Sequence, residues 1–547
     1  STLFPYTTLF RSPYSNSVEG DGVPFLSAYG ATRNTNERDG FNLNNNLLYR
    51  RKFGKLGRTL TVGWQNSVSN SDGKGTNLSD YKFFDSDGDL VSENYLNLRT
   101  SQKTRTNNNQ VSASYTEPLS FNTLLELNYT YSNRHNTSDR EAHDYDSLTK
   151  QYDQLNASQT NYFENDFIAH RTGLNFRKQA TKYNFQLGGA IEFSELTSRS
   201  VRMLTGVDTT VSQKFVNFFP TANFQYQFSR TKNLRIFYRG RTNQPNITQL
   251  QDVPDLTNPQ YIVTGNPLLK QEFNNNINFN FSSFNVTTFR FVSANLNFNN
   301  TVNKIVNSVL VDKGVQFIRP VNLDGAFNAN SFLTLGLPLR KMKGSTVNLS
   351  NSVSYNRDVS VFNAITNTTN STIVTQNAGI NLDFKQKLNL SLNASLSLNN
   401  VDFENETGGN EDQRYYTQTY SADITYTFLK SFVLNTDFDY LINSGLGEGF
   451  NQAVPLWNSS LALQLFKKKN GEIKFSVNDL LNQNQSIRRT VNPLYVQDTR
   501  SLVLKRYFLL TFTYNLNRAG QQQQQGDRQG APGMPRNMQR QFQRNNR

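Results

Sequence analysis

Cysteine is absent from the 547 residues, which excludes disulfides, cysteine zinc sites and thiol nucleophiles. Histidine is almost absent: His135, His143 and His170 are the only three, too scattered along the chain to show a ligand spacing. Long apolar runs are missing too. No stretch approaches the roughly 18 apolar residues a membrane-crossing helix needs, so a membrane crossing would have to use strands, which hide their hydrophobicity in every second residue. No Gly-x-Ser-x-Gly elbow with triad partners, no P-loop and no dinucleotide fingerprint can be read. We therefore expect no enzyme, no resident cofactor and no metal site.

What is present is aromatic. Hydrophobic residues make up only 36% of the chain, a level that alone suggests disorder, yet aromatics reach 12%, with 41 Phe and 25 Tyr. Aromatics set among Asn, Thr and Ser imply strands with one wet face. The net charge of +14 raises the question of a nucleic-acid partner, but its placement argues against one. Cations sit in short connections, as at Lys55 and Arg58, Lys182, Arg340 with Lys341 and Lys343, and Lys467 to Lys469. Carboxylates sit in long ones, as at Asp85, Asp87 and Asp89, at Asp139, Glu141, Asp144 and Asp146, and at Glu404, Glu406, Glu411 and Asp412. Two ends of opposite sign suit an object that spans a barrier.

Alternating segments recur from about residue 41 to residue 516, and they are joined by short turns and long polar loops in alternation. We count about nineteen, each long enough for the nine to eleven residues a tilted strand needs to cross a bilayer. Residues 65–109 and 135–162 read as long polar loops. The fold expected is all-β: a large antiparallel transmembrane barrel, incomplete in this chain, since bacterial barrels normally have an even number of strands. Restoring about three would give the roughly 22 strands of outer-membrane transporters, whose lumen carries a plug.

The stretch at residues 234–281 organises the rest. A strand through Leu234, Ile236, Phe237 and Tyr238 is followed by a long excursion. Then come Gly265-Asn266-Pro267-Leu268-Leu269-Lys270-Gln271-Glu272 and a second strand in which Phe273, Ile277, Phe279 and Phe281 are parted by asparagines. Gly265-Asn266-Pro267 is turn chemistry: glycine permits positive φ, and Pro267 drives Asn266 out of the helical region. The octapeptide resembles the Gly-Asn-Pro-x-Leu-x-Pro-Glu signature of TonB-dependent outer-membrane receptors, with Gln271 in place of the usual proline. Two further stretches resemble the related outer-membrane β-barrel family: the basic turn at residues 46–60, and Phe475-Ser476-Val477-Asn478-Asp479-Leu480-Leu481-Asn482 with the closing strand to Leu516. The resemblance implies a barrel preceded by a plug and an exported N-terminal region, with the TonB system as a partner through that plug. Neither a plug nor a TonB-binding box is read here.

Residues 2–12 look like a translated sequencing-adapter oligonucleotide and are set aside as a non-native leader. Residues 13–516 form the barrel, and residues 517–547, rich in Gln and Arg, form a disordered basic tail, expected in the periplasm. Long loops are expected outside the cell. Asp85, Asp87 and Asp89 resemble a calcium loop, but the glycine is misplaced and the bidentate Glu of an EF-hand is missing. Glu141, His143, Asp144 and Asp146 read as a solvated loop. The function expected is the barrel of a TonB-dependent-receptor-like transporter for an unidentified nutrient, in contact with outer-membrane lipid. The alternative is a non-energised pore or a surface-binding barrel.

Overall fold

The computed structural model describes residues 6–14 and 25–515, apart from residues 86, 205, 207, 251, 253, 255–260, 313–314, 386, 405–411, 447–450, 468, 492–495 and 502. The expected tail at residues 517–547 lies outside the described residues, as do Glu406, Glu411 and Lys468.

Strand Leu388–Phe403 shows how the sequence makes the fold. Leu388, Leu390, Leu392, Ala394, Leu396 and Leu398 fall on one face, and Asn389, Ser391, Asn393, Ser395, Ser397 and Asn399 on the other. Register carries the apolar face sideways: Leu392 stands opposite Ile380 on one neighbour and Ala422 on the other. A one-residue slip would put six apolar side chains among asparagines, so the pairing is strongly specified.

Repetition of this unit builds one 24-stranded sheet, beside a separate two-stranded one. All nineteen segments read from the sequence are strands of an antiparallel meander, from Phe25–Lys52 to Tyr507–Tyr514. Tyr6–Tyr14 adds a strand at the edge, paired with Phe25–Lys52. A free strand edge recruits backbone whatever the side chains are, so this pairing says nothing about the origin of residues 2–12. The far edge belongs to Tyr507–Tyr514, which pairs only with Gly471–Asn478 among the described residues. No described pairing joins the two edges, and the sheet is open.

Following antiparallel partners assigns each connection to one of two ends. At one end lie residues 53–58, 121–122, 180–182, 230–231, 285–290, 339–345, 385–387, 429–431 and 466–470. These turns contain no Asp or Glu but many Lys and Arg. The longer connections lie at the opposite end, so Lys467 and Asp144 are separated by the full sheet, as their charge pattern implied.

Two readings need correction. Residues 65–109 and 135–162 are mostly strand: Thr59–Phe84, Leu90–Ser120 and Thr123–Asp146 run 26, 31 and 24 residues. These extensions lack the strict apolar alternation by which strands are recognised, since scattered apolar residues such as the buried Tyr81, Phe83 and Leu98 stand among polar ones, yet Thr, Ser, Asn and Tyr pair well on a pleated surface. Val315–Leu323 forms a hairpin with Lys304–Asp312.

Candidate functional site

The apolar face has sharp limits. On Tyr183–Arg202 it runs from Tyr183 through Phe185, Leu187 and Ile191 to Phe193, then meets Glu195. On Leu388–Phe403 it runs from Leu388 to Leu398, between Lys387 and Asn400. Ten residue steps of about 3.3 Å, inclined about 40°, span roughly 25 Å, the height of the apolar band on outer-membrane barrels. Its short-turn margin is aromatic: Tyr183 stacks with Phe185 at 6.5 Å, Tyr226 meets Phe228 at 4.7 Å, and Phe428 stacks between Tyr426 and Phe432 at 5.6 and 5.5 Å. Such a girdle marks the membrane–water interface.

The opposite face is hydrogen-bonded sideways from strand to strand. Asn276 donates to Asn299, Asn299 Nδ2 to Asn328 Oδ1 at 3.0 Å, Asn330 Nδ2 to Asn328 Oδ1 at 3.2 Å, and Ser354 Oγ to Asn330 Oδ1 at 2.6 Å. Arg171 lies over the Phe219 ring at 4.0 Å and stands opposite Glu192. Phe237, which broke the sequence alternation, points to this polar face beside Arg235, 5.8 Å away. Leu234, Ile236 and Tyr238 keep the apolar face, opposite Phe281, Phe279 and Ile277.

An apolar patch interrupts the polar face near the long-connection end. Phe167, Leu196 and Phe215 on adjacent strands receive Leu250, Ile305 and the fully buried Leu269. The octapeptide is therefore a junction of loops, where the sequence had suggested a simple hairpin cap. Asn266 accepts from Leu268 N at 3.0 Å and donates through Nδ2 to Pro320 O at 3.0 Å, while its own N–H reaches Gln249 O at 2.6 Å. Lys270 N donates to Asn322 Oδ1 at 2.8 Å, and Ile305 N donates to Glu272 Oε1 at 2.8 Å. Gln271, the departure from the receptor signature, is buried; its Oε1 accepts from Asn217 Nδ2 at 2.8 Å. Gly265 is buried, and the glycines that take positive φ lie elsewhere, at Gly57 and Gly325 for example. Sequence reasoning missed this dock. The available signal was adjacent apolar pairs, Phe167-Ile168 and Phe215-Val216, which serve both faces of a strand at once.

The two acidic groups weighed from sequence are otherwise engaged. Asp85 Oδ1 accepts from Asp87 N at 3.1 Å and Asp89 N at 2.8 Å, closing an acidic turn. Glu141 and His143 fall on one face of Thr123–Asp146, and Asp144 and Asp146 on the other. Asp144 holds Asn156, and Asp146 caps Leu148 N at 2.7 Å, a hydrogen bond that lowers its carboxyl pKa. His135, though isolated in sequence, is brought by strand pairing to Asp166, with Nδ1 2.8 Å from Oδ1. With Glu164 these form a group whose donor atoms lie within 4.8 Å of one another, close enough to hold a cation. All three are part-exposed, on the apolar-side face just beyond Ile168.

Residues 51–514 match the pattern of the outer membrane protein beta-barrel family. The chain belongs to that family. Its apolar face accordingly meets lipid and its polar face the lumen. A search of curated proteins finds no match. Among solved structures, similarity is found to the copper transporter OprC (10% identity over 94% of this chain and 76% of that one, TM-score 0.44). It extends to the FrpB iron transporter from Neisseria meningitidis (11%, 82% and 74%, 0.39) and to the Serratia marcescens hemophore receptor HasR (12%, 79% and 72%, 0.37). These are named as transporters and receptors, none as an enzyme; at such identities and scores the likeness adds nothing beyond the family.

Proposed function

We propose that this chain is the wall of an outer-membrane receptor-transporter that admits a nutrient, with its long connections outside the cell and its basic turns in the periplasm. The observation that carries the reading is the loop junction on the lumen face. Leu269, Asn266 and Gln271 fasten the excursion after Asn243 and the hairpin at residues 304–323 to the inside of the wall. A wall whose connections are fastened inward narrows its own mouth, which suits capture and gating better than free diffusion. Opening such a lumen on demand requires a plug coupled to an energy source, the role that the resemblance to TonB-dependent receptors assigns to the TonB system.

The test is a deletion strain grown on single sources of metal chelates, glycans or peptides, with uptake of the labelled compound measured before and after collapse of the proton gradient. Loss of energy-dependent uptake of one class supports the proposal. Uptake that persists undiminished after the gradient is collapsed would instead make it a passive pore.

A further inference from the structure

The basic turns line one end of the sheet in a row that holds no carboxylate of its own. Arg230, Arg340, Lys341, Lys343, Lys385 and Lys387 are exposed, and not one Asp or Glu lies in the nine short turns that carry them and their neighbours. Among the described residues, the turn cations that reach a carboxylate are Lys55 and Arg58, both on Glu117. This charge adjoins the aromatic margin of the lipid-facing band. The Lys232 ammonium lies 5.1 Å from the Phe228 ring and 5.8 Å from the Phe281 ring, and the Arg51 guanidinium lies 5.5 Å from Phe53. Long cationic side chains rooted in an aromatic girdle place their charge at headgroup depth.

We propose that this row binds the phosphates of anionic glycerophospholipids and so selects the lipid shell along one end of the wall. A nucleic acid would need a continuous groove, whereas these cations sit in separate turns along one end of a wall whose apolar band is about as high as one bilayer core, so the phosphates they meet are those of one leaflet. Among the described residues the other end offers no such row: its exposed strand extensions mix Glu195 with Lys214 and Arg199 with Asp208. The choice of glycerophospholipid over lipopolysaccharide rests on the periplasmic placement of the turns proposed above; the charge complementarity does not.

The experiment reconstitutes the full chain in nanodiscs of phosphatidylcholine containing one part in five phosphatidylglycerol, and measures the lipid retained after detergent extraction. Anionic lipid near a surface cation is favoured about fivefold per contact, so the wild type is expected to retain phosphatidylglycerol well above its input ratio, falling as salt rises. A variant with Lys341, Lys343, Lys385 and Lys387 changed to Gln should lose at least half of that excess while keeping its heat-modifiable mobility on gels. Retention at the input ratio, or an unchanged excess in the variant, overturns the basic row as a lipid site. A parallel arm with lipopolysaccharide distinguishes the source: preference for it over phosphatidylglycerol, abolished by the same substitutions, overturns the leaflet assignment and the orientation while leaving the transport test untouched.

Discussion

Arginine placed on alternate residues of a single strand should report the bilayer's position with little ambiguity. Leu388–Phe403 suits this because its apolar face is unbroken from Leu388 to Leu398, centred on Asn393. Leu392 lies one residue from that centre, about 3 Å along the strand and about 2.5 Å in depth, while Leu388 and Leu398 lie roughly 16 Å along the strand and about 12 Å in depth from it. Leu392→Arg therefore places a guanidinium near the midplane, where the cost is about 2–4 kcal/mol. Leu398→Arg reaches the margin, at about 0–1 kcal/mol. Asn393→Arg points into the water-filled lumen and should cost less than Leu392→Arg although it is deeper. Reversible denaturant unfolding in lipid vesicles, followed by tryptophan fluorescence, measures all three. An Asn393→Arg penalty equal to or above that of Leu392→Arg would refute the assignment of faces; equal penalties at 392 and 398 would refute the band's position.

Leu269→Ala removes a fully buried side chain packed on Leu196 and Leu250. Burial of this kind is worth about 2–5 kcal/mol, but it holds loops and not the wall, so protease cleavage between residues 244 and 263 should rise while the global unfolding midpoint stays put; a shifted midpoint with unchanged cleavage would contradict the junction. At the short-turn rim, Glu117 takes Arg58 through two bonds of 2.8 and 2.9 Å, Lys55 at 2.7 Å and the Tyr115 hydroxyl at 2.8 Å. The Arg58 hydrogen bonds above all, then those of Lys55 and Tyr115, bring its carboxyl pKa down to about 2. A pKa lowered in the folded state means stabilisation present above the ordinary carboxylate range and lost as pH falls through that range toward about 2. Wild type and Glu117→Gln should therefore differ in stability at neutral pH and converge by about pH 2; a difference that persisted there would show that charge is not the cause.

Much of the wall was legible in advance because alternation is a local property. Leu388 to Leu398 and Phe273 to Phe281 declare their faces without reference to any neighbour, and polar turns between them declare the ends, so nineteen strands and the crowding of Lys and Arg into the short turns could be read from the chain. Where apolar residues are scattered and out of strict alternation, as at residues 65–109, nothing local separates a strand from a loop; only the partner strand reveals it. Where both faces are apolar, as at Phe167-Ile168, the pattern signals a conflict whose resolution lies in a loop a hundred residues away.

The order of residues thus determined the membrane-facing half of this protein, since lipid on one side and water on the other impose a rule on every second residue. Tertiary structure alone decided what docks on the inner face: Leu269 beside Leu196, Gln271 against Asn217, and His135 beside Asp166. Those contacts join residues far apart in the chain, and their energy exists only after the strands between them have taken their register.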